Sequence, residues 1–129
     1  MTHPMDKIPL TGLKKRSQYL KIASTRIKCV RPGLILQIRK HSLEEVSSRK
    51  LSDLRLGFTV SKKVGNAVAR NRVKRRLKAV ARVILMAKSP KNLDLVIIGR
   101  QNTLKRPFSD LVTDLEIALK KIQLPKSIT

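Results

Sequence analysis

Residues 61–82, SKKVGNAVARNRVKRRLKAVAR, hold nine Lys or Arg among twenty-two positions and no Asp or Glu. Cationic side chains at that density either keep a surface soluble or hold a polyanion, and the complete absence of acids favours the second. Arg offers a planar fork that grips a phosphate through two bonds, and every phosphate neutralised releases counterions, so about five to eight such contacts give an affinity that falls steeply with salt. Groups suited to bond-making chemistry are scattered by comparison. Cys29 is the only cysteine, and the two histidines, His3 and His41, lie in polar or terminal segments, so neither a Cys–His nucleophile nor a zinc set is spaced for the task. Cys29 reads as a small strand residue. No carboxylates or histidines are clustered to hold two metal ions or to act as acid and base.

The basic stretch has the period of a helix over residues 66–88. At about 100 degrees per residue, Ala69, Val73, Leu77, Val80 and Ile84 fall on one stripe, with Arg72, Lys74, Arg75, Lys78 and Arg82 opposite. Asn66 is placed to cap its start, and Ser89-Pro90 to end it. A solvated helix usually mixes signs, because a Glu–Lys pair four residues apart stabilises it by ~0.2 to 0.5 kcal/mol. Here Arg70, Lys74 and Lys78 repeat at that spacing, as do Arg72 and Arg76. Like charges are therefore neighbours, and cations in the first turns oppose the helix dipole. Phosphates turn both penalties into attraction, and the backbone N–H groups at Gly65-Asn66 add a place for one more.

The elements that must position this helix come from a chain of 129 residues, enough for about one domain. Thirty basic against eight acidic residues give a formal charge of +22, which points to nucleic acid as the partner. Spanning a bilayer takes roughly 20 apolar residues, and the longest uncharged run is Pro32 to Ile38, so no membrane role is expected. The apolar run of a secretory signal is missing from MTHPMDKIPL, and with a single cysteine a cytoplasmic location is expected. Residues 1–8 and 125–129 read as flexible tails around a domain at 9–124.

Within that domain Ser17 is a candidate cap for a short helix whose apolar side is Tyr19, Leu20, Ile22 and Ala23. GLILQIRK from Gly33 and the alternation of Leu54, Leu56, Phe58 and Val60 read as strands, with a mobile polar loop between them at 41–53. Leu93 to Gly99 reads as a buried strand. Pro107 opens a last helix lined by Phe108, Leu111, Leu115 and Ile122, with Asp110, Asp114 and Glu116 ahead of Lys120 and Lys121. Residues 107–129 carry three acids and three bases, so the excess charge lies upstream. The order helix, strand, strand, helix, strand, helix gives an α+β class with helices packed on one sheet. Tyr19, Phe58 and Phe108 are the only aromatics. So few rings argue against stacking many bases in succession and leave backbone and shape recognition of a folded RNA.

GFTVSKKVGNAVARNRVKRRLKAVAR closely resembles the signature of the protein subunit of bacterial ribonuclease P, an RNR run followed by basic residues. Here the run is Arg70-Asn71-Arg72, then Lys74, Arg75 and Arg76. LKKRSQY looks like the family's first helix, LDLVIIGR like its third strand ending in Arg, and PFSDLVTDLEIALKKI like its last helix, so the resemblance covers residues 10–124. It implies a single compact α-β-β-β-α-β-α domain around a central sheet, of a kind shared with a ribosomal-protein domain. The crossover around the basic helix would be left-handed, against the ~98% right-handed rule. That order has one strand more than the residues alone suggest, with room for it at a bend in Thr25–Gln37 or a break in Gly57–Ser61.

The resemblance also implies a function: the protein binds a catalytic RNA, and the holoenzyme, an endoribonuclease, hydrolyses the phosphodiester that frees the 5′ leader of precursor tRNA. The RNA is the catalyst, so no catalytic residue and no metal ligand is expected in the protein, and Mg2+ would be held mainly by the RNA. Lys62, Lys63, Asn66, Arg70, Asn71, Arg72, Lys74, Arg75, Arg76 and Lys78 are the expected RNA contacts. Tyr19, Gln37 and Phe58 would line the cleft for the single-stranded leader. Ala23 and Gln37 stand where many relatives carry aromatics, so stacking on leader bases should be weaker here. The expected partners are ribonuclease P RNA, in a 1:1 complex, and precursor tRNA. The rival readings are a structural RNA-binding protein of ribosomal type without a role in cleavage, and a basic DNA-binding protein for which Asn71 alone would read bases.

Overall fold

The computed structural model describes residues 10–128 apart from 50, 52, 53 and 89. The tail expected at 1–8 lies outside the described residues. In chain order the elements are β1 (Leu10–Gly12), α1 (Arg16–Ser24), β2 (Lys28–Val30), β3 (Leu34–Lys40), α2 (Leu43–Ser48), β4 (Leu54–Val60), α3 (Ala67–Lys88), β5 (Leu93–Gly99) and α4 (Phe108–Ile128). One-turn 3-10 helices at Lys62–Val64 and Gln101–Thr103 follow β4 and β5. With the short β1 and α2 set aside, the order is α-β-β-β-α-β-α, as expected.

Two strands that the residues alone did not reveal are the short β1 and, within the expected order, β2. β2 folds back antiparallel on β3, with Lys28 opposite Gln37 and Val30 opposite Ile35. Three residues are too few to display a period of two. The expected loop at 41–53 is corrected too, because it contains α2. Ser42 Oγ accepts from the Glu45 N–H at 3.1 Å, and the Glu45 carboxylate accepts from the Ser42 N–H at 2.8 Å. That reciprocal pair nucleates a turn of helix in a polar segment. Ser17 does not cap α1. The helix begins at Arg16, and Gln18 Oε1 accepts from the N–H groups of Lys14 and Lys15 at 2.9 and 3.0 Å. The last helix is assigned as far as Ile128, so residues 125–128 of the expected tail continue it.

The five strands are ordered β1-β4-β5-β3-β2. β4 and β5 are parallel neighbours joined through α3, the crossover whose left hand the resemblance implies. Alternation gives each face of the sheet its own residues. Leu36, Leu95 and Leu56 belong to the face under α3 and α4, where Val73, Leu77, Val80 and Ile84 meet Leu111, Leu115 and Ile122 in the main core. The other face carries α1, with Leu13, Ile22 and Val96 buried beside Tyr19 and Ile98.

Two buried carboxylates bolt this frame. Asp94 in β5 lies in register with Arg39 and Arg55, receives Arg55 at 2.7 Å and Arg39 at 3.0 Å, and has His41 Nε2 at 2.8 Å. Burial works to raise its carboxyl pKa, but the hydrogen bonds and charges of Arg55 and His41 outweigh burial and hold it below the ordinary value. Arg39 also grips Glu45 through both terminal nitrogens at 3.0 and 2.9 Å, and this hydrogen bonding lowers the Glu45 carboxyl to about 2. Asp114 in α4 accepts from the Gly33 N–H at 3.0 Å and from Arg106 at 2.7 Å, tying the β2–β3 turn to the last helix.

Candidate nucleic-acid interface

The basic helix is mounted on β4 by a short 3-10 turn and a glycine. Gly65 has φ of 155°, a region open to glycine and strained for side chains. Asn66 then caps α3 as expected, its Oδ1 accepting from the Ala69 N–H at 2.9 Å. The stripe of Val73, Leu77, Val80 and Ile84 is buried against sheet and α4. Burial of that stripe forces the basic residues outward. Lys62, Lys63, Asn66, Asn71, Arg72, Lys74, Arg75 and Lys78 are exposed, and Arg70 is half-buried.

Asn71, Lys74, Arg75 and Lys78 surround one shallow depression with Val68 at its edge and no acid. Arg70 Nε is the one buried side-chain polar atom among the described residues without a hydrogen-bond partner. Burial fixes the Arg70 guanidinium against the protein, with its Nε leaving one donor unpaired. Lys78 Nζ lies 6.0 Å from the centre of the Phe58 ring, so the strand's one aromatic steadies its charge.

Arg76 departs from expectation. It is half-buried, and its two terminal nitrogens donate to the carbonyls of Leu104 and Arg106 at 2.7 and 2.6 Å. Its fork is thus committed to the loop ahead of α4, and we remove it from the set of RNA contacts. Sequence reading missed this because the acceptors lie 28 and 30 positions away.

The residues expected to form the cleft are divided by the sheet. Tyr19 lies on the α1 side: its hydroxyl donates to the Leu13 carbonyl at 3.2 Å, and its ring covers Gly57, where an added Cβ would stand 2.6 Å from ring atoms. Gln37, Val96 and Gly57 form one row across the same face. The next row is Ile35, Ile98 and Thr59, all half-buried, and Val30 beyond them is exposed. Phe58 is in register with Ile97 and packs with the main core, on the opposite face. A strand side chain cannot reach both faces, so Phe58 leaves the cleft.

A third concavity, of about 650 Å³, opens at the carboxyl ends of the parallel strands β4 and β5, lined by Ser61, Lys63, Arg100, Gln101 and Lys105. Arg100 is the Arg that ends the third-strand match, but neither it nor Lys105 was expected as a contact. The signal available was Arg100 following a buried strand parallel to the one that leads into the basic helix.

Among the described residues no three of His, Cys, Asp and Glu come together as a metal site. The buried carboxylates Asp94 and Asp114 are occupied by guanidinium donors. These two buried carboxylates therefore offer no Mg2+ site. Among the same residues no helix is long and apolar enough to cross a membrane.

The family model described as Ribonuclease P matches residues 10–123. The chain belongs to the ribonuclease P protein family. The ribonuclease P protein component of Paramagnetospirillum magneticum is 47% identical over 113 residues, covering 88% of this chain and 83% of its own. That of Ruegeria pomeroyi is 46% identical over 118 residues, covering 91% of this chain and 90% of its own. Among solved structures, the RNase P protein of Thermotoga maritima superposes with a TM-score of 0.67 at 26% identity, covering 86% of this chain and 96% of its own. The five-stranded α+β architecture is thus that of a ribonuclease P protein, and the RNR run stands on its most basic helix.

Proposed function

We propose that this chain is the protein component of a cytoplasmic ribonuclease P: it binds the catalytic RNA in a 1:1 complex and the 5′ leader of precursor tRNA, and so aids removal of the leader. The observation that carries the reading is the acid-free outer face of α3, where Asn71, Lys74, Arg75 and Lys78 share one depression. Hydrolysis and its magnesium are assigned to the RNA.

The leader is assigned to the open rows on the α1 face, beside Tyr19 and Gln37. With one ring there, recognition rests on charge and on hydrogen bonds to Gln37 rather than on successive stacking. Titration of precursor tRNA against the protein–RNA complex tests this. Changing leader bases should alter affinity by a few-fold at most, and a strong base preference abolished by Tyr19→Ala would overturn it.

Binding to ribonuclease P RNA in graded salt tests the main reading. Arg70→Ala should weaken binding, and the logarithm of the wild-type affinity should fall linearly with that of salt. Wild-type affinity indifferent to salt would contradict a phosphate-led interface.

A further inference from the structure

Phe108 was expected on the apolar side of the last helix with Leu111, Leu115 and Ile122, yet it is 42% exposed at the first position of α4 while those three are buried. Its neighbours explain what an exposed ring does there. Arg72, Arg75, Arg76, Ala79, Leu104 and Phe108 line a concavity of about 590 Å³ on the flank of α3. Arg75 also lines the depression with Asn71, Lys74 and Lys78, so the two surfaces are continuous. We propose that Phe108, with Leu104 beside it, is a platform on which one unpaired base of ribonuclease P RNA stacks while Arg72 and Arg75 take the adjoining phosphates.

The inference rests on the reading of α3 as an RNA-binding helix and extends it to a base contact on a different element. Apolar surface flanked by cations matches the two halves of a nucleotide, since every base has a π face and its phosphate is anionic. The platform is held before binding. Arg76 donates to the carbonyls of Leu104 and Arg106, fixing the loop that leads into α4 against α3, and a preformed site spares the cost of ordering it. No acid lines the concavity. Asp110 is two positions from Phe108, a spacing that does not share a helix face, and Asp114 is buried against Arg106.

The chain has no tryptophan, so Phe108→Trp places the protein's one tryptophan on the platform, where it can be excited apart from Tyr19. Adding ribonuclease P RNA at low salt should quench its emission, as stacking on a base does. Phe108→Leu, which keeps apolar bulk but no ring, should bind the RNA about tenfold more weakly than the wild type, with an unchanged salt dependence and melting temperature. Unquenched emission under saturating RNA, or a Phe108→Leu affinity equal to wild type, would overturn the stacking site while leaving the α3 interface standing. Emission that shifts with protein concentration alone would assign the ring to a contact between copies and overturn it as well. Failure of the wild-type protein to bind the RNA would remove both readings together.

Discussion

Arg72 and Arg76 stand one turn apart on α3 with different employment: the first is exposed, and the second is bound to two carbonyls. Arg72→Ala should weaken RNA binding and lower the salt slope by about one unit or less, the signature of one lost phosphate contact. An unchanged slope would take Arg72 out of the interface. Arg76→Ala should instead lower stability by about 2 kcal/mol, because it strands two carbonyls that a charged donor satisfied. Thermal melting reads the difference, and an unaltered midpoint would argue that the clamp is dispensable. Gly57→Ala should displace the Tyr19 ring that covers it, detectable as a change in tyrosine fluorescence, with no such change speaking against the close approach. Arginines can be counted in a sequence, but which of them meets a carbonyl from a distant loop depends on tertiary contacts. Phe58 was expected at the cleft from the resemblance, although its alternation with Leu54 and Leu56 put it on the face that packs with the main core.

At the scale of elements, α3 is a helix of 22 residues with no acid in its first turn, and its buried stripe was readable as a 3.6-residue period. Its like-charged neighbours make anions ligands of the folded state, so sulfate should raise the melting temperature and any helix signal lost at low salt. Identical circular dichroism and melting with and without sulfate would count against that coupling. α2 was illegible by periodicity, although Ser42 and Glu45 carry the spacing of a capping box; polarity drew attention away from it. The same Glu45 makes stability depend on acid. Its folded pKa of about 2 lies below the unfolded value of 4.5, so between them the unfolded chain binds more protons. The contribution is present above about pH 4.5 and is lost as pH falls towards 2; Asp94, lowered in the same direction, adds to it. Denaturant melts across this range should show the loss, and Glu45→Gln should flatten part of it. A variant as acid-sensitive as the wild type would place the titration elsewhere.

For the whole molecule, a formal charge of +22 on 129 residues predicts a polyanion partner before any fold is known. What the charge alone could not give is its division of labour. Arg39, Arg55, Arg76 and Arg106 are spent on buried carboxylates and loop carbonyls, while the outer face of α3 is left without acids. The sheet then separates that face from the rows beside Tyr19, the two surfaces to which the proposed function assigns the catalytic RNA and the leader. Cleavage of precursor tRNA by bacterial ribonuclease P RNA at low magnesium, with and without this protein and with the protein alone, tests this arrangement most directly. Cleavage should appear only when RNA and protein are both present. Tight, salt-dependent binding to that RNA without any rescue of cleavage would contradict a role in leader removal and leave a structural RNA-binding protein.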